Sequence, residues 1–565
     1  MRTRAPACLV WLVALALINV VPAAATAKPA RKPGVAAIAS AHPLATAAGE
    51  EILAAGGNAF DAAVAVSAAL AVVEPYSSGL GGGGFWLLHR ARDGRDVFVD
   101  ARETAPGAAR ADMYRGADGK VSAKASLDGP LAAGIPGQPA GMAHIAKRYG
   151  RLPLARSLAP AIRLAEQGFP AHTRLMLGLR FRRTAALQSP AFMAIYYPGG
   201  KLPEEGAIIR STDLGKTLRR MAASGADGFY RGETAAQLVD GVRAAGGIWT
   251  LEDLASYRVI EREPLRARYR DATLVSAPLP SAGGIALANM LNLLAGYDLQ
   301  TLDSVTRKHL LIEVMRRAYR DRALYLGDPA FSKPPLEQLL SPFYAAGQRA
   351  SIRLDRATSS AALPARLPDG SEGNDTTHFS ILDRDGNRVG GTLSINTWYG
   401  AAFVPPGTGV ILNTEMDDFT VEEGVANWYE LVGGGANAIA PGKRMLSSMS
   451  PTFVESSRGV AIVGTPGGSR IITMVLLAAL EWLDGADAAR MVALKRFHHQ
   501  FLPDVVDYED GALSAGEISG LEQRGHQLRR NERSYGNMNV VTWDYASGKV
   551  EAATDPRGPF ASDVY

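Results

Sequence analysis

The sequence predicts an α/β protein, on three observations. Residues 58–73, running through AAVAVSAALAVV, are apolar nearly all round, which marks a helix buried on every side. Residues 375–396, DTTHFSILDRDGNRVGGTLSIN, alternate as two strands about an Asp385-Gly386 turn. Residues 130–328 carry mostly helical periodicity, with amphipathic stretches at 154–167, 214–224, 234–245 and 305–325 and one strand pair around 264–277. With 565 residues and 47% hydrophobic content the chain can bury a large core.

In chain order, the first segment is an address. Arg2 and Arg4 precede an apolar run over residues 8–21, interrupted by Asn19, and Ala25-Thr26-Ala27 forms a cleavage site. The run is shorter than the roughly 20 residues of a membrane anchor. A signal peptide over residues 1–27 and export to the periplasm or beyond are therefore expected. Cys8 is the one cysteine, so a mature protein starting near Lys28 has no thiol, disulfide or cysteine metal site, and a nucleophile must be oxygen. Sixty basic against 56 acidic side chains leave +4, which implies no polyanion, and nucleic acid is set aside.

A tether at 28–33 leads to two helices over 44–73, broken at Gly56-Gly57. The run from Gly79 to Gly84 satisfies G-x-G-x-x-G, but a helix precedes it and a strand follows, the reverse of a dinucleotide site. Close backbone approach at the edge of a buried sheet is expected instead. A strand at 97–101 delivers Arg102-Glu103, by default a surface ion pair. The helical middle reads as scaffold without chemistry, with a turn-rich loop, PLPSAGG, at 278–284. Residues 357–375, small, polar and rich in Pro and Gly, read as an exposed linker running into Thr376.

Downstream, a strand at 409–412 leads into NTEMDDF, and 420–435 is a long irregular segment with a Gly433-Gly434-Gly435 hinge. PGKRMLSSMSPT, a strand at 459–463, TPGGSRI and an apolar helix at 471–483 follow. His498-His499 lacks a third ligand at a metal-site spacing and reads as structural. Strands near 539–543 and 551–553 close the sheet.

The hairpin converges hydroxyls. Pairing about its turn opposes residues whose numbers sum to roughly 771, which sets Thr376 near Ile395 with Ser394 and Asn396 as cross-strand neighbours. Thr is common in strands, and the hairpin alone requires no function.

Its company decides. DTTHFS, NTEMDDF, LSSMSPT, PGGSRII, GLGGGGF and ARETAP, in their order along residues 44–565, resemble the gamma-glutamyltransferases, self-cleaving N-terminal nucleophile hydrolases. The resemblance implies an αββα four-layer sandwich, cut between Asp375 and Thr376 into a large chain of residues 28–375 and a small one of 376–565 that stay intertwined. It implies Thr376 as nucleophile, its freed α-amine as base, and no cofactor. Ser394, where the family usually has Thr, would hold that amine; Asn396, Glu415 and Asp418 would meet the substrate's α-ammonium. Arg102, Ser447 and Ser448 would clamp its α-carboxylate, Gly467 and Gly468 would form an oxyanion hole, and Tyr429 would gate a lid over 420–435. Expected substrates are glutathione or other gamma-glutamyl compounds, with water, amino acids or peptides as acceptors. Alternatives are a cephalosporin- or glutaryl-type acylase of the same fold, a processor of capsule poly-gamma-glutamate, and an uncleaved periplasmic glutamate-binding protein.

Overall fold

The computed structural model describes residues 31–363, 376–557 and 561–564. The signal peptide with Cys8, most of the 357–375 linker and Asp375 lie outside the described residues.

Thirteen strands, labelled in chain order, make two antiparallel sheets. The first runs β13 (Ala561–Val564), β1 (Ala37–Ser40), β7 (Thr377–Leu382), β8 (Arg388–Ser394), β2 (Gly83–Arg90), β3 (Arg95–Ala101), β4 (Ile260–Arg262). The second runs β12 (Val550–Thr554), β11 (Asn539–Asp544), β10 (Gly459–Gly464), β9 (Thr452–Glu455), β6 (Ala272–Ser276), β5 (Leu265–Tyr269). Strand alternation assigns side chains to two cores. Trp86, Leu88, Val97, Val99 and Ile381 pack with α1 (Pro43–Ala54) and α2 (Ala59–Val73) on the outer face of the first sheet. Phe85, Leu87, Phe98 and Leu382 point the other way and join the second sheet together with α3 (Gly283–Leu294), α4 (Ser304–Tyr325) and α5 (Ile471–Leu483). The layers are thus helix, sheet, sheet, helix, the expected αββα sandwich.

The local signals explain the elements that place the site. Every residue of α2 is buried, as its all-round apolar pattern requires, and Asn58 with Asp61 closes a capping box that starts it after the Gly56-Gly57 break. The hairpin β7–β8 forms with Gly386 at φ +91 and the Asp383 carboxylate accepting from the backbone N–H of Asp385 and Asn387 across the turn. Its register is one residue from the expected one: Leu393 lies opposite Thr377, so one step further Ser394, not Ile395, faces Thr376.

Other expectations are corrected. The glycine run opens β2, an interior strand and not a sheet edge; backbone approach does demand glycine there, since a Cβ on Gly82 would lie 2.1 Å from the Ser394 carbonyl oxygen. Residues 409–412 form no strand, only a bridge from Leu412 to Gly81, because Gly409 turns left-handed at φ +66. The linker is not exposed from its start. Ser360 is buried, with its N–H on Asp504 and its hydroxyl on the Phe501 carbonyl. Arg102 and Glu103 are not on the surface: both are buried, at 1% and 0% exposure. No helix among the described residues is long and apolar enough to cross a membrane.

Candidate active site

Thr376 stands one residue before the β7 ladder begins, buried, at the mouth of a cavity that also carries Ser394, Asn396, Glu415, Asp418, Arg102, Ser447, Ser448, Tyr429 and Gly468. Residues from five separate regions of the chain therefore meet around one threonine. Of the expected site residues with described positions, Gly467 alone is off the lining, directly behind Gly468.

Each wall has a local reason. Ser394 ends β8, and its hydroxyl accepts from the Asn396 N–H at 2.8 Å. That bond helps fix Asn396 at φ +71, a left-handed conformation that Asn tolerates better than most side chains. The Asn396 Nδ2 donates to the Thr414 carbonyl at 2.8 Å, which spends its donor end on the protein and leaves its acceptor end for a ligand. Glu415 and Asp418 lie on the short turn Glu415–Asp418. Asn413 anchors that turn: its Oδ1 accepts from the Glu415 N–H at 2.9 Å, and its Nδ2 donates to the carbonyls of Gly81 and Gly134. The glycine run thereby supports the acidic turn. Asn413 heads NTEMDDF, and sequence reasoning missed its anchoring role.

Arg102, at the end of β3, reaches across to the acidic turn. Its Nη1 donates to Glu415 Oε2 at 2.5 Å, its Nη2 to Asp418, and its Nε to the Met445 carbonyl at 3.3 Å. Burial opposes the Arg102 charge, but Glu415, Asp418 and Glu103 hold it on. The same burial pushes Glu415 up to about 7 despite Arg102. Glu103 lies 3.6 Å from Arg102 with neither oxygen hydrogen-bonded, and burial together with nearby Glu415 raises its carboxyl well above the usual range. Sequence reasoning missed Glu103 as a buried group, and also Glu74, which accepts the Thr377 hydroxyl at 2.6 Å and tethers the residue after Thr376.

Gly467 and Gly468 have φ of +141 and +54 and enter α5 through the turn Gly468–Arg470. A Cβ on Gly468 would lie 2.2 Å from the ring of Tyr429. The Tyr429 hydroxyl donates to the Asn396 carbonyl at 2.6 Å, and Gln500 donates to the Tyr429 carbonyl at 3.0 Å. The 420–435 segment thus lies shut over the site, pinned further by Asn427 on Asp418 and the Trp428 N–H on Asp417, whose carboxyl burial pushes up to about 7. About 20 Å³ of free space remains, room for roughly one water. The histidine pair is outside the cavity: His498 bonds Thr473 and Gln500, and His499 bonds Asp504.

Chemically, a buried threonine at a strand start faces carboxylates and an amide oxygen suited to an ammonium. Guanidinium and hydroxyl groups suited to a carboxylate stand beside them. Two antiparallel sheets between helical layers, with such a threonine at the start of a central strand, define the fold of the N-terminal nucleophile hydrolases. Within that class, a family model described as gamma-glutamyltranspeptidase matches residues 45–565, and the chain belongs to this family. The glutathione hydrolase proenzyme of Pseudomonas sp. (strain A14) is 44% identical over 503 residues, 87% of this chain and 86% of that protein. The glutathione hydrolase proenzyme of Escherichia coli (strain K12) is 39% identical over 526 residues, covering 92% and 90%. Among solved structures, a cephalosporin acylase from Bacillus halodurans superposes with a TM-score of 0.83 at 28% identity, covering 95% of this chain and 97% of that one.

Proposed function

We propose that this protein is a gamma-glutamyltransferase and glutathione hydrolase, made as a precursor and activated by a cut between Asp375 and Thr376. One observation carries the reading: complements to both charges of a free amino acid end share a single cavity with Thr376. A threonine hydroxyl is a poor nucleophile, and an uncut backbone amide at Thr376 cannot take its proton. The α-amine released by the cut, with a reference pKa of about 7.7–8.0, can.

In the reaction, Thr376 Oγ attacks the side-chain carbonyl of the gamma-glutamyl donor while its amine accepts the hydroxyl proton. Negative charge collects on the carbonyl oxygen, and its stabilisation is assigned to the backbone N–H groups of Gly467 and Gly468, aided by the start of α5. The amine returns the proton to the departing nitrogen, leaving a gamma-glutamyl ester on Thr376. Water then releases glutamate, or the amine of an amino acid or peptide takes the glutamyl group. Ser394 holds the Thr376 amine; Asn396, Glu415 and Asp418 hold the substrate ammonium; Arg102, Ser447 and Ser448 hold its carboxylate. The signal-like residues 1–27 support work in the periplasm or outside the cell.

A Thr376→Ala protein is expected to run as one full-length chain on a denaturing gel, without gamma-glutamyl activity. Two chains from that variant would overturn the assignment. An acylase reading has the likeness to the cephalosporin acylase in its favour. It predicts that a glutaryl amide, lacking the amino group, is cleaved as fast as its gamma-glutamyl counterpart. Glu415 and Asp418, which with such a substrate would share the single Arg102 guanidinium and gain no ammonium, argue for a preference the other way.

A further inference from the structure

The cavity holds a second guanidinium that neither the motifs nor the reading above employs. Arg322, on α4, lines the cavity beside Ser448 and Asp418 and is 6% exposed. Its side chain makes a single hydrogen bond, from Nη2 to Ser448 Oγ at 3.3 Å; its Nε has no acceptor, and no carboxylate among the described residues comes within ion-pair distance. Neighbouring buried arginines are treated differently. Arg102 is saturated by Glu415, Asp418 and the Met445 carbonyl, and Arg444 by Asp100 and the Arg258 carbonyl. A buried guanidinium with most of its donors idle costs stability unless something else meets it.

Charge bookkeeping says what that is. The acidic and basic side chains that line the cavity are Arg102 and Arg322 against Glu415 and Asp418, and Arg102 already spans both acids. An arriving α-ammonium needs those acids, and an arriving α-carboxylate needs a cation with donors to spare.

Resting on the proposed gamma-glutamyl reading, we infer that Arg322 is a substrate-binding residue, supplying through its idle donors the second cation, beside Ser448, for the α-carboxylate of the donor. Specificity for an amino acid end then depends on two arginines, one reaching in from β3 and one from α4.

The test is Arg322→Met, with Arg322→Lys as a variant that keeps the charge. For Arg322→Met, the KM of a gamma-glutamyl 4-nitroanilide and the inhibition constant of L-glutamate should rise at least about tenfold, the loss expected for one charge-assisted hydrogen bond. Inhibition by 4-aminobutanoate, which is glutamate without its α-carboxylate, should stay within about twofold, and kcat should change far less than KM. Arg322→Lys should recover part of the L-glutamate affinity. The melting temperature of Arg322→Met should hold or rise, because an under-partnered buried charge has gone. Equal losses for L-glutamate and 4-aminobutanoate, or an unchanged KM, would overturn the inference. So would an Arg322→Lys enzyme that folds but binds L-glutamate no better than Arg322→Met. A wild-type enzyme with no turnover of the gamma-glutamyl donor would instead reject the underlying function.

Discussion

At the residue scale, the tightest constraint is Gly468, where the left-handed backbone and the ring of Tyr429 leave no room for a Cβ. Gly468→Ala should lower kcat at least about tenfold, through strain of roughly 1–2 kcal/mol at that φ and a displaced lid ring. Combining it with Tyr429→Ala should recover part of that loss, because the ring it strikes is gone; strictly additive effects in the double variant would show that the contact is unimportant. The residues on this side of the cavity were legible through the family resemblance that short runs such as PGGSR and NTEMDDF carry together, since each run alone also suits a plain turn. Arg322 was not. A charged side chain on a helix is ordinarily a solvated one, and nothing in MRRAYRDRALY separates the arginine that faces the cavity from Arg316 and Arg317, which are buried in ion pairs, or from half-buried Arg320. Arg102-Glu103 shows the same limit, since adjacency reads as a surface pair until the fold buries both.

Among the elements, the 420–435 segment decides access. It has little regular structure, yet it is fastened by Tyr429 on Asn396, Asn427 on Asp418, Trp428 on Asp417 and Gln500 on the Tyr429 carbonyl. With about 20 Å³ free beside Thr376, the proposed reaction requires part of the lining to move, and Tyr429 is the side chain this segment contributes next to Asn396. Tyr429→Ala should leave self-cleavage intact and shift the acceptor profile toward bulkier amines, read by product analysis across a panel of amino acids and dipeptides. An unchanged profile would make the segment a passive cover. The regular elements were largely legible: α5 follows its apolar run residue for residue, and α2 follows its capping box. The failures were short pieces, the missing strand at 409–412 and the added β1, β4, β9 and β13, because segments of three or four residues take their conformation from neighbours in the sheet more than from their own pattern.

For the whole molecule, buried titratable groups set the acid limit. Burial holds His42, His378, His498 and His526 at about 3 and His499 at about 4, and it lowers His172 and His309. Each such histidine favours folding above its ordinary value of 6.5 and loses that contribution as pH falls toward its folded value. Glu74, Glu415 and Asp417, pushed up to about 7 by burial, and Glu103, raised well above its usual range by burial and nearby Glu415, act in the opposite sense as pH falls below about 7. From pH 7 to about 5 the two sets therefore act on stability in opposite directions. Below about 4.5 the raised carboxyls contribute no further gain, while the histidines and the ion-paired Glu313, Asp507 and Asp555, whose carboxyls lie below their usual range, keep losing ground. Denaturant midpoints measured at pH 7, 5.5, 4.5 and 3.5 should fall steeply over the last interval; a rise there would contradict the assignment.

The order of strands also bears on how such a molecule comes into being. Within both sheets, strands from before residue 376 lie hydrogen-bonded to strands from after it, as β1 to β7, β2 to β8 and β6 to β9. Neither portion alone owns a complete sheet, so each made separately would display raw edges to water and to other copies. After the proposed cut, the pieces on either side of residue 376 would stay joined through these shared sheets, and a nicked molecule should still travel as one body through a sizing column.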